Sequence, residues 1–156
     1  GNFDRQEAGE FLDLVHDTVG DAGMLLIGVD TKKSESRLNA AYNDAAGVTA
    51  QFNLNLLCRM RQELGADLDP DAFEHRAFYN TQAGRVEMHL VSRVTQQLHI
   101  NGHSFRFGEG ESLHTENSYK YAPDEFLALA SGSRFTPIRH WVDVQGLFAI
   151  YLLKAG

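Results

Sequence analysis

The sequence has little of several features that define whole classes of protein. It contains a single cysteine, Cys58, so no intrachain disulfide can form, which is compatible with the cytoplasm. No apolar stretch reaches the roughly 20 residues that a membrane-spanning helix needs. No charged segment followed by an apolar one opens the chain. We therefore expect a cytoplasmic protein without a membrane partner.

Clustered positive charge is also missing. Asp and Glu number 21 against 14 Lys and Arg, and no long run of Lys or Arg occurs. Nucleic acids and anionic membranes are bound by concentrated basic surfaces. Neither is expected as a partner.

Motifs for metal and nucleotide binding are likewise not evident. Although the chain has 7 histidines, no H-E-x-x-H motif or Cys/His cluster occurs, and we expect no metal site. The glycine-containing stretch F-G-E-G-E at 107–111 carries two carboxylates that would repel a phosphate. Cys58 follows Leu57 in a predicted helix and is interpreted as a core residue rather than a nucleophile.

The apolar pattern predicts an α/β fold. Asp4 and Glu7 form a capping-box pattern at the start of a helix that ends at Gly20. The apolar run Gly23–Val29 predicts a strand buried on both faces, and a helix followed by such a strand is typical of the α/β class. Because no strand precedes this helix, we expect the sequence to begin partway through a fold.

Helices and then strands follow along the chain. Ser34 and Thr49 are the predicted N-caps of two helices that meet near Gly47, and Pro123 begins a short helix. The predicted strands are Phe73–Tyr79, Arg85–His99, Ser104–Phe107, Leu113–Tyr121, Phe135–Asp143 and Leu147–Lys154.

One predicted turn also predicts the register of the two strands that it joins. Asn101-Gly102 is a strong signal for a two-residue hairpin turn, which sets Leu98 opposite Phe105 and Ile100 opposite His103. The apolar residues of this hairpin should then share one buried face; they are Leu98, Ile100, Phe105 and Phe107. In the same register the rings of His99 and His103 point to opposite sides.

The strand L-H-T-E-N-S-Y-K-Y at 113–121 has an unusual polar face. Alternation places His114, Glu116, Ser118 and Lys120 on one side. From the pattern alone this side is either a solvated surface or the wall of a binding site for a small polar ring.

Three other residues also have ordinary structural interpretations. Tyr42 lies on the apolar stripe of its helix and is typical of a core tyrosine. Met88 alternates with apolar neighbours as in ordinary strand packing, and Thr49 is explained as a helix cap.

Five segments together resemble the histidine-specific, S-adenosylmethionine-dependent methyltransferases of ergothioneine biosynthesis, which make the trimethylated betaine of histidine. The segments are G-N-F at 1–3, L-L-I-G-V-D at 25–30, R-L-N-A-A-Y-N-D-A-A-G-V-T-A-Q-F-N at 37–53, V-E-M-H-L at 86–90 and H-T-E-N-S-Y-K-Y at 114–121. They run in family order through nearly the whole chain, and the part at 41–53 is specific.

The resemblance implies the C-terminal portion of a Rossmann-like methyltransferase sheet with an inserted α+β substrate-binding domain. Residues 1–33 would be the last helix and fifth strand of the core, residues 34–121 the inserted domain, and residues 122–156 the final helix and β-hairpin. The strands that bind S-adenosylmethionine would lie outside this chain, which alone would be inactive. The exposed edge of strand 24–29 would then favour self-association.

The resemblance also implies a binding site for L-histidine and no catalytic residue in this part. Asn2 would contact the amino and carboxylate end, Tyr42 would bind the α-carboxylate, and Thr49 and Met88 would line the pocket. Glu116 and Ser118 would hydrogen-bond the two imidazole nitrogens.

Two rival interpretations stay open. One is a non-catalytic module that binds a small molecule, and the other is a related methyltransferase for another aromatic amino acid. Glu116 with Ser118 favours an imidazole, because a carboxylate accepts from one ring N–H while a hydroxyl pairs with the other nitrogen. A site that uses both nitrogens rejects a ring that lacks them.

Overall fold

The computed structural model describes residues 1–156, which form two compact units. The first unit comprises residues 1–34, 80–85 and 117–156, and the second comprises residues 35–79 and 86–116. The helices are α1 (Arg5–Val19), α2 (Glu35–Tyr42), α3 (Val48–Leu64) and α4 (Pro123–Gly132). The strands are β1 (Met24–Asp30), β2 (Phe73–Asn80), β3 (Arg85–Ser92), β4 (Gln96–Ile100), β5 (His103–Phe107), β6 (Ser112–Tyr119), β7 (Phe135–Val142) and β8 (Phe148–Ala155). No helix has both the length and the hydropathy needed to cross a lipid bilayer.

The first unit contains a three-stranded sheet in the order β1-β8-β7, with both pairs antiparallel. Its core lies on one face, where Leu12 of α1 and Phe126 of α4 pack with alternate residues of β8. These β8 residues, Ala149, Tyr151, Leu153 and Ala155, are fully buried. The two helices therefore cover one side of the sheet.

The predicted burial of β1 on both faces is wrong. Leu25, Ile27 and Val29 pack against the core, but Met24 and Leu26 are 56% and 65% exposed. Within this unit both helices lie on the same face, so the apolar run has only one covered side. β1 lies at the edge of the three-stranded sheet, and self-association through that edge stays a prediction.

The capping box of α1 is confirmed. The Asp4 carboxylate accepts from the Glu7 N–H at 2.8 Å, and the Glu7 carboxylate accepts from the Asp4 N–H at 2.8 Å. Two N–H groups that have no partner within the helix are thereby satisfied. The helix ends before Gly20, as predicted.

The second unit packs α2 and α3 with strands of a sheet in the order β2-β3-β6. One cluster joins Leu57 of α3 with Phe73 and Leu90, and another joins Leu38 of α2 with Val86. The predicted strand 85–99 is interrupted, because residues 93–95 are irregular and separate β3 from β4. The first of the two helices predicted to meet near Gly47 ends earlier, at Tyr42.

The hairpin β4-β5 has the predicted register, with Leu98 opposite Phe105 and Ile100 opposite His103. Asn101 and Gly102 have φ angles of 50° and 79°, as a two-residue turn with two left-handed positions requires. The expectation that all four apolar side chains are buried is wrong for Phe105, which is 49% exposed. These side chains line an apolar cavity of about 190 Å³.

Candidate functional site

Ser118 lies near the end of β6, in the first unit, against a buried lysine. The Lys120 side chain is 1% exposed, and its Nζ donates to Ser118 Oγ at 2.8 Å. The same ammonium lies 2.8 Å from Asp30 Oδ2 at the end of β1, and Lys33 forms a second ion pair with Asp30. Burial raises the pKa of Asp30, but hydrogen bonds from Lys120 and Lys33 outweigh it and leave that pKa below its ordinary value.

A backbone hydrogen bond brings the start of the chain to this position. The Tyr119 N–H donates to Gly1 O at 2.7 Å. A Cβ placed on Gly1 would lie 3.1 Å from Ser118 Oγ, so the backbone at Gly1 is in close contact with that hydroxyl. The first unit thus brings the neighbourhood of Asn2 and that of Ser118 together.

Tyr42 and Met88, in the second unit, share one apolar cluster. Met88 is 3% exposed, and the partly buried Tyr42 packs against the cluster that contains it. The Tyr42 carbonyl lies 2.8 Å from His75 Nε2. Because a carbonyl only accepts, this hydrogen bond requires a hydrogen on His75 Nε2.

Asn53 was not predicted as a site residue, yet it joins these positions. It is 3% exposed, and its Nδ2 donates to His75 Nδ1 at 3.0 Å and to the His89 carbonyl at 3.1 Å. Its Oδ1 lies 2.7 Å from the hydroxyl of Thr115, which is also 3.0 Å from the Met88 carbonyl. The signal available in the sequence was a polar side chain among the apolar residues of α3, inside the specific block at 41–53.

Thr49 lies in the first turn of α3, and its predicted role as N-cap is wrong. Gly47 is the N-cap residue, with a φ of 71°, and Asp44 supplies the capping carboxylate. Asp44 accepts from the N–H groups of Thr49 and Val48, both at 2.9 Å. These bonds, with one from the Thr49 hydroxyl, lower the pKa of Asp44 to about 2. Because the Asp44 carboxylate, four residues before Val48, accepts from both of these N–H groups, Thr49 does not act as the cap.

Glu116 borders a small cavity of about 200 Å³ in the second unit. Thr115 and residues of α3 form the rest of its wall, including Asn53, Phe52 and Arg59. The wall is mixed in character, with carboxylate, amide, hydroxyl and aromatic groups. Such a wall suits a small polar ligand better than an apolar one.

A group of ionisable side chains, Glu87, His89 and His114, lies on the sheet of the second unit. Their potential ligand atoms are within 4.8 Å of one another. The sequence signals were E-x-H at 87–89 and H-x-E at 114–116 on two separate strands. The expected absence of a metal site stays a prediction.

The geometry of this group is that of a ring stack. The His89 ring lies between Phe78, at 5.3 Å, and His114, at 4.5 Å, with interplanar angles of 17° and 13°. Parallel rings direct their lone pairs along separate planes, so one ion could bind both only after a ring rotates. Burial lowers the pKa of His89, and its hydrogen bond with Glu87 offsets part of that effect.

The glycine-containing loop 107–111 joins strand β5 to strand β6 rather than a strand to a helix. A hydrogen bond closes the loop 107–111, because the Glu111 carboxylate accepts from the Gly108 N–H at 2.8 Å. No glycine-rich turn joins a strand to a helix N-terminus here as it does in nucleotide-binding folds.

The sequence profile described as "Histidine-specific methyltransferase, SAM-dependent" matches residues 1–155. The chain therefore belongs to this family of methyltransferases. Among its relatives, Histidine N-alpha-methyltransferase of Mycolicibacterium smegmatis is 38% identical over 154 residues, covering 97% of this chain and 48% of the relative. Ergothioneine biosynthesis protein 1 of Neurospora crassa is 29% identical, covering 90% of this chain and 16% of the relative.

The chain spans about half the length of the bacterial histidine methyltransferases it matches. Among experimental structures, an S-adenosylmethionine-dependent methyltransferase from Clostridium acetobutylicum aligns with a TM-score of 0.46 and 12% identity, covering 98% of this chain and 52% of that one.

Proposed function

We propose that the chain is the substrate-binding part of an S-adenosylmethionine-dependent methyltransferase that converts L-histidine to its trimethyl betaine, for ergothioneine biosynthesis. The observation that carries this proposal is the family match over residues 1–155. In this proposal the first and last segments belong to a Rossmann-like core, the middle is an inserted domain, and the methyl donor is bound mainly by sequence outside these residues. The chain alone is then inactive.

Six residues are proposed to bind the amino acid. Asn2 and Ser118 lie in the first unit, and Tyr42, Thr49, Met88 and Glu116 lie in the second. Support comes from inside each unit, since Gly1 contacts Ser118 in the first and Tyr42 packs with Met88 in the second. Glu116 accepts from one imidazole N–H, Ser118 pairs with the other nitrogen, and Tyr42 binds the α-carboxylate.

These groups are proposed to contribute to the reaction by positioning the histidine substrate. S-adenosylmethionine supplies an electrophilic methyl group, so the substrate must present a neutral amine with its lone pair aimed at that carbon. Residues that fix the ring, the carboxylate and the amine of histidine reduce the freedom that would otherwise raise the barrier. Water exclusion around the amine adds to this effect.

The proposal is tested by histidine binding in the complete enzyme that carries this sequence. Glu116→Ala is expected to weaken L-histidine binding about 10- to 100-fold, because a hydrogen bond to a charged group contributes roughly 1.5–3 kcal/mol. Binding of the methyl donor should change by less than about threefold. The matched control is Glu109→Ala, which removes an exposed carboxylate from the loop before β6.

Calorimetric titration with L-histidine, L-phenylalanine and the methyl donor measures these effects separately. Equal losses of histidine and donor affinity would contradict the assignment of Glu116. Stronger binding of phenylalanine than of histidine by the unmodified enzyme would favour a methyltransferase for another aromatic amino acid. Histidine binding with no methyl transfer in any form of the protein would favour a non-catalytic module.

A further inference from the structure

Lys120 is a buried charge that the proposed binding site does not yet use. Moving an ammonium out of water costs several kcal/mol unless it is paired and hydrogen-bonded. Two backbone hydrogen bonds hold the chain around Lys120 in place. The backbone N–H of Lys120 donates to Gly84 O at 2.9 Å, and the Tyr121 N–H donates to Asp30 O at 3.2 Å. The Asp30 carboxylate compensates the charge at 2.8 Å, and Lys120 also reaches Ser118.

The bond between Lys120 and Ser118 has only one possible direction. An ammonium has three donors and no acceptor, whereas a hydroxyl both donates and accepts. Ser118 Oγ must therefore accept from Lys120 Nζ at 2.8 Å. The single hydroxyl hydrogen of Ser118 then points away from Lys120, so it is directed toward a third group as a donor.

A donor at this position selects one protonation state of an imidazole. A neutral imidazole has one N–H and one nitrogen with a lone pair, whereas an imidazolium has two N–H groups. A hydroxyl that donates can pair only with the nitrogen that carries the lone pair.

We propose that Lys120 is a positioning and specificity residue, which orients the Ser118 hydroxyl as a donor so that the site binds neutral histidine side chains in a single tautomer. This inference rests on the proposed function, because it assumes that Ser118 faces the substrate ring. Lys120 acts through Ser118 and does not touch the substrate. Asp30 holds the ammonium in place, and Lys33 shares that carboxylate without reaching Ser118 in the described contacts.

A double-mutant cycle in the complete enzyme separates this role from a merely structural one. Lys120→Met and Ser118→Ala are each expected to weaken L-histidine binding about tenfold, the value of one hydrogen bond of roughly 1.4 kcal/mol. Because both changes remove the same interaction, the double variant should also be about tenfold weaker. The matched control, Lys33→Met, makes the same chemical change on the same carboxylate and should stay within about twofold.

A spectroscopic measurement follows the tautomer itself. Bound L-histidine labelled with ¹⁵N in the ring should show one protonated and one unprotonated nitrogen, even near the free imidazole pKa of about 6.5. With Lys120→Met, the bound ring should show exchange between tautomers or an imidazolium at that pH. If Lys120→Met does not fold, Ser118→Ala gives the same comparison with the buried ion pair intact.

The outcomes are distinguishable. An additive, roughly hundredfold loss in the double variant would overturn the role of Lys120, as would an imidazolium bound by the unmodified enzyme. An unmodified enzyme that binds no histidine would overturn the proposed function itself. A loss for Lys33→Met equal to that for Lys120→Met would reduce the effect to general destabilisation around Asp30 and would also overturn the inference.

Discussion

Replacing Asn53 by alanine removes a side chain that makes three buried hydrogen bonds. Its amide donates to His75 Nδ1 and to the His89 carbonyl, and its oxygen lies 2.7 Å from the Thr115 hydroxyl. The hydroxyl keeps the Met88 carbonyl as a second partner, but the other two groups lose the amide that satisfies them. Asn53→Ala should therefore destabilise the second unit well beyond an ordinary surface substitution.

The magnitude follows from these bonds. Each contributes about 1 kcal/mol net, and a buried group left without its partner costs about 1–3 kcal/mol. Two such groups, partly offset by the higher helix propensity of alanine, give a loss of roughly 3 kcal/mol. For a protein of this size the midpoint of thermal unfolding should fall by about 6–12 °C.

Urea denaturation followed by circular dichroism measures the effect, with Asn55→Ala as the control. Asn55 lies two residues along the same helix and is exposed, so the control includes the same gain in helix propensity. A free-energy difference between the two variants below about 1 kcal/mol would refute the importance of the Asn53 network. A loss of about 3 kcal/mol with an unchanged denaturant slope would support it.

Two further predictions concern stability. The pKa of Asp44 is lowered in the folded protein to about 2 from 3.8, so the stability it contributes is present above pH 3.8 and is lost as the pH falls toward 2. Thermal midpoints of the unmodified protein and of Asp44→Ala should differ at pH 6 and converge near pH 2; a constant difference would be inconsistent with capping by the ionised form. Tyr151 is fully buried, and its hydroxyl has no hydrogen-bond partner in the structure. Tyr151→Phe should therefore leave the free energy of unfolding unchanged or raise it by about 1 kcal/mol, and a loss above about 1 kcal/mol in urea unfolding would contradict this.

Local signals in the sequence predicted local structure well. The capping box of α1 and the Asn101-Gly102 turn depend on residues within four positions of each other, and both are confirmed. The Thr49 cap was mistaken because Asp44, five residues earlier, competes for the same N–H groups. Several candidate caps in a short loop cannot be ranked without the backbone path.

Properties that depend on distant segments were not predictable in the same way. The apolar pattern of β1 shows that the strand can be buried, but not how many of its faces another element covers. Asn53 meets His75, His89 and Thr115, which lie 22 to 62 positions away in sequence. The Lys120 contact with Asp30 likewise joins the end of β1 to the residue that follows β6, which is far away in the sequence. The family resemblance identified Glu116 and Ser118, whereas the side chains that support Ser118 emerged from the packing.

In the proposed function, these residues form the histidine-binding part of a methyltransferase whose donor site lies elsewhere. Calorimetric titration of the 156-residue chain with L-histidine and, separately, with S-adenosylmethionine tests it most directly. We expect weak binding of histidine, lost in Glu116→Ala and kept in Glu109→Ala, with no detectable binding of the donor. Tight binding of S-adenosylmethionine by this chain, or histidine binding that is unchanged in Glu116→Ala, would contradict it.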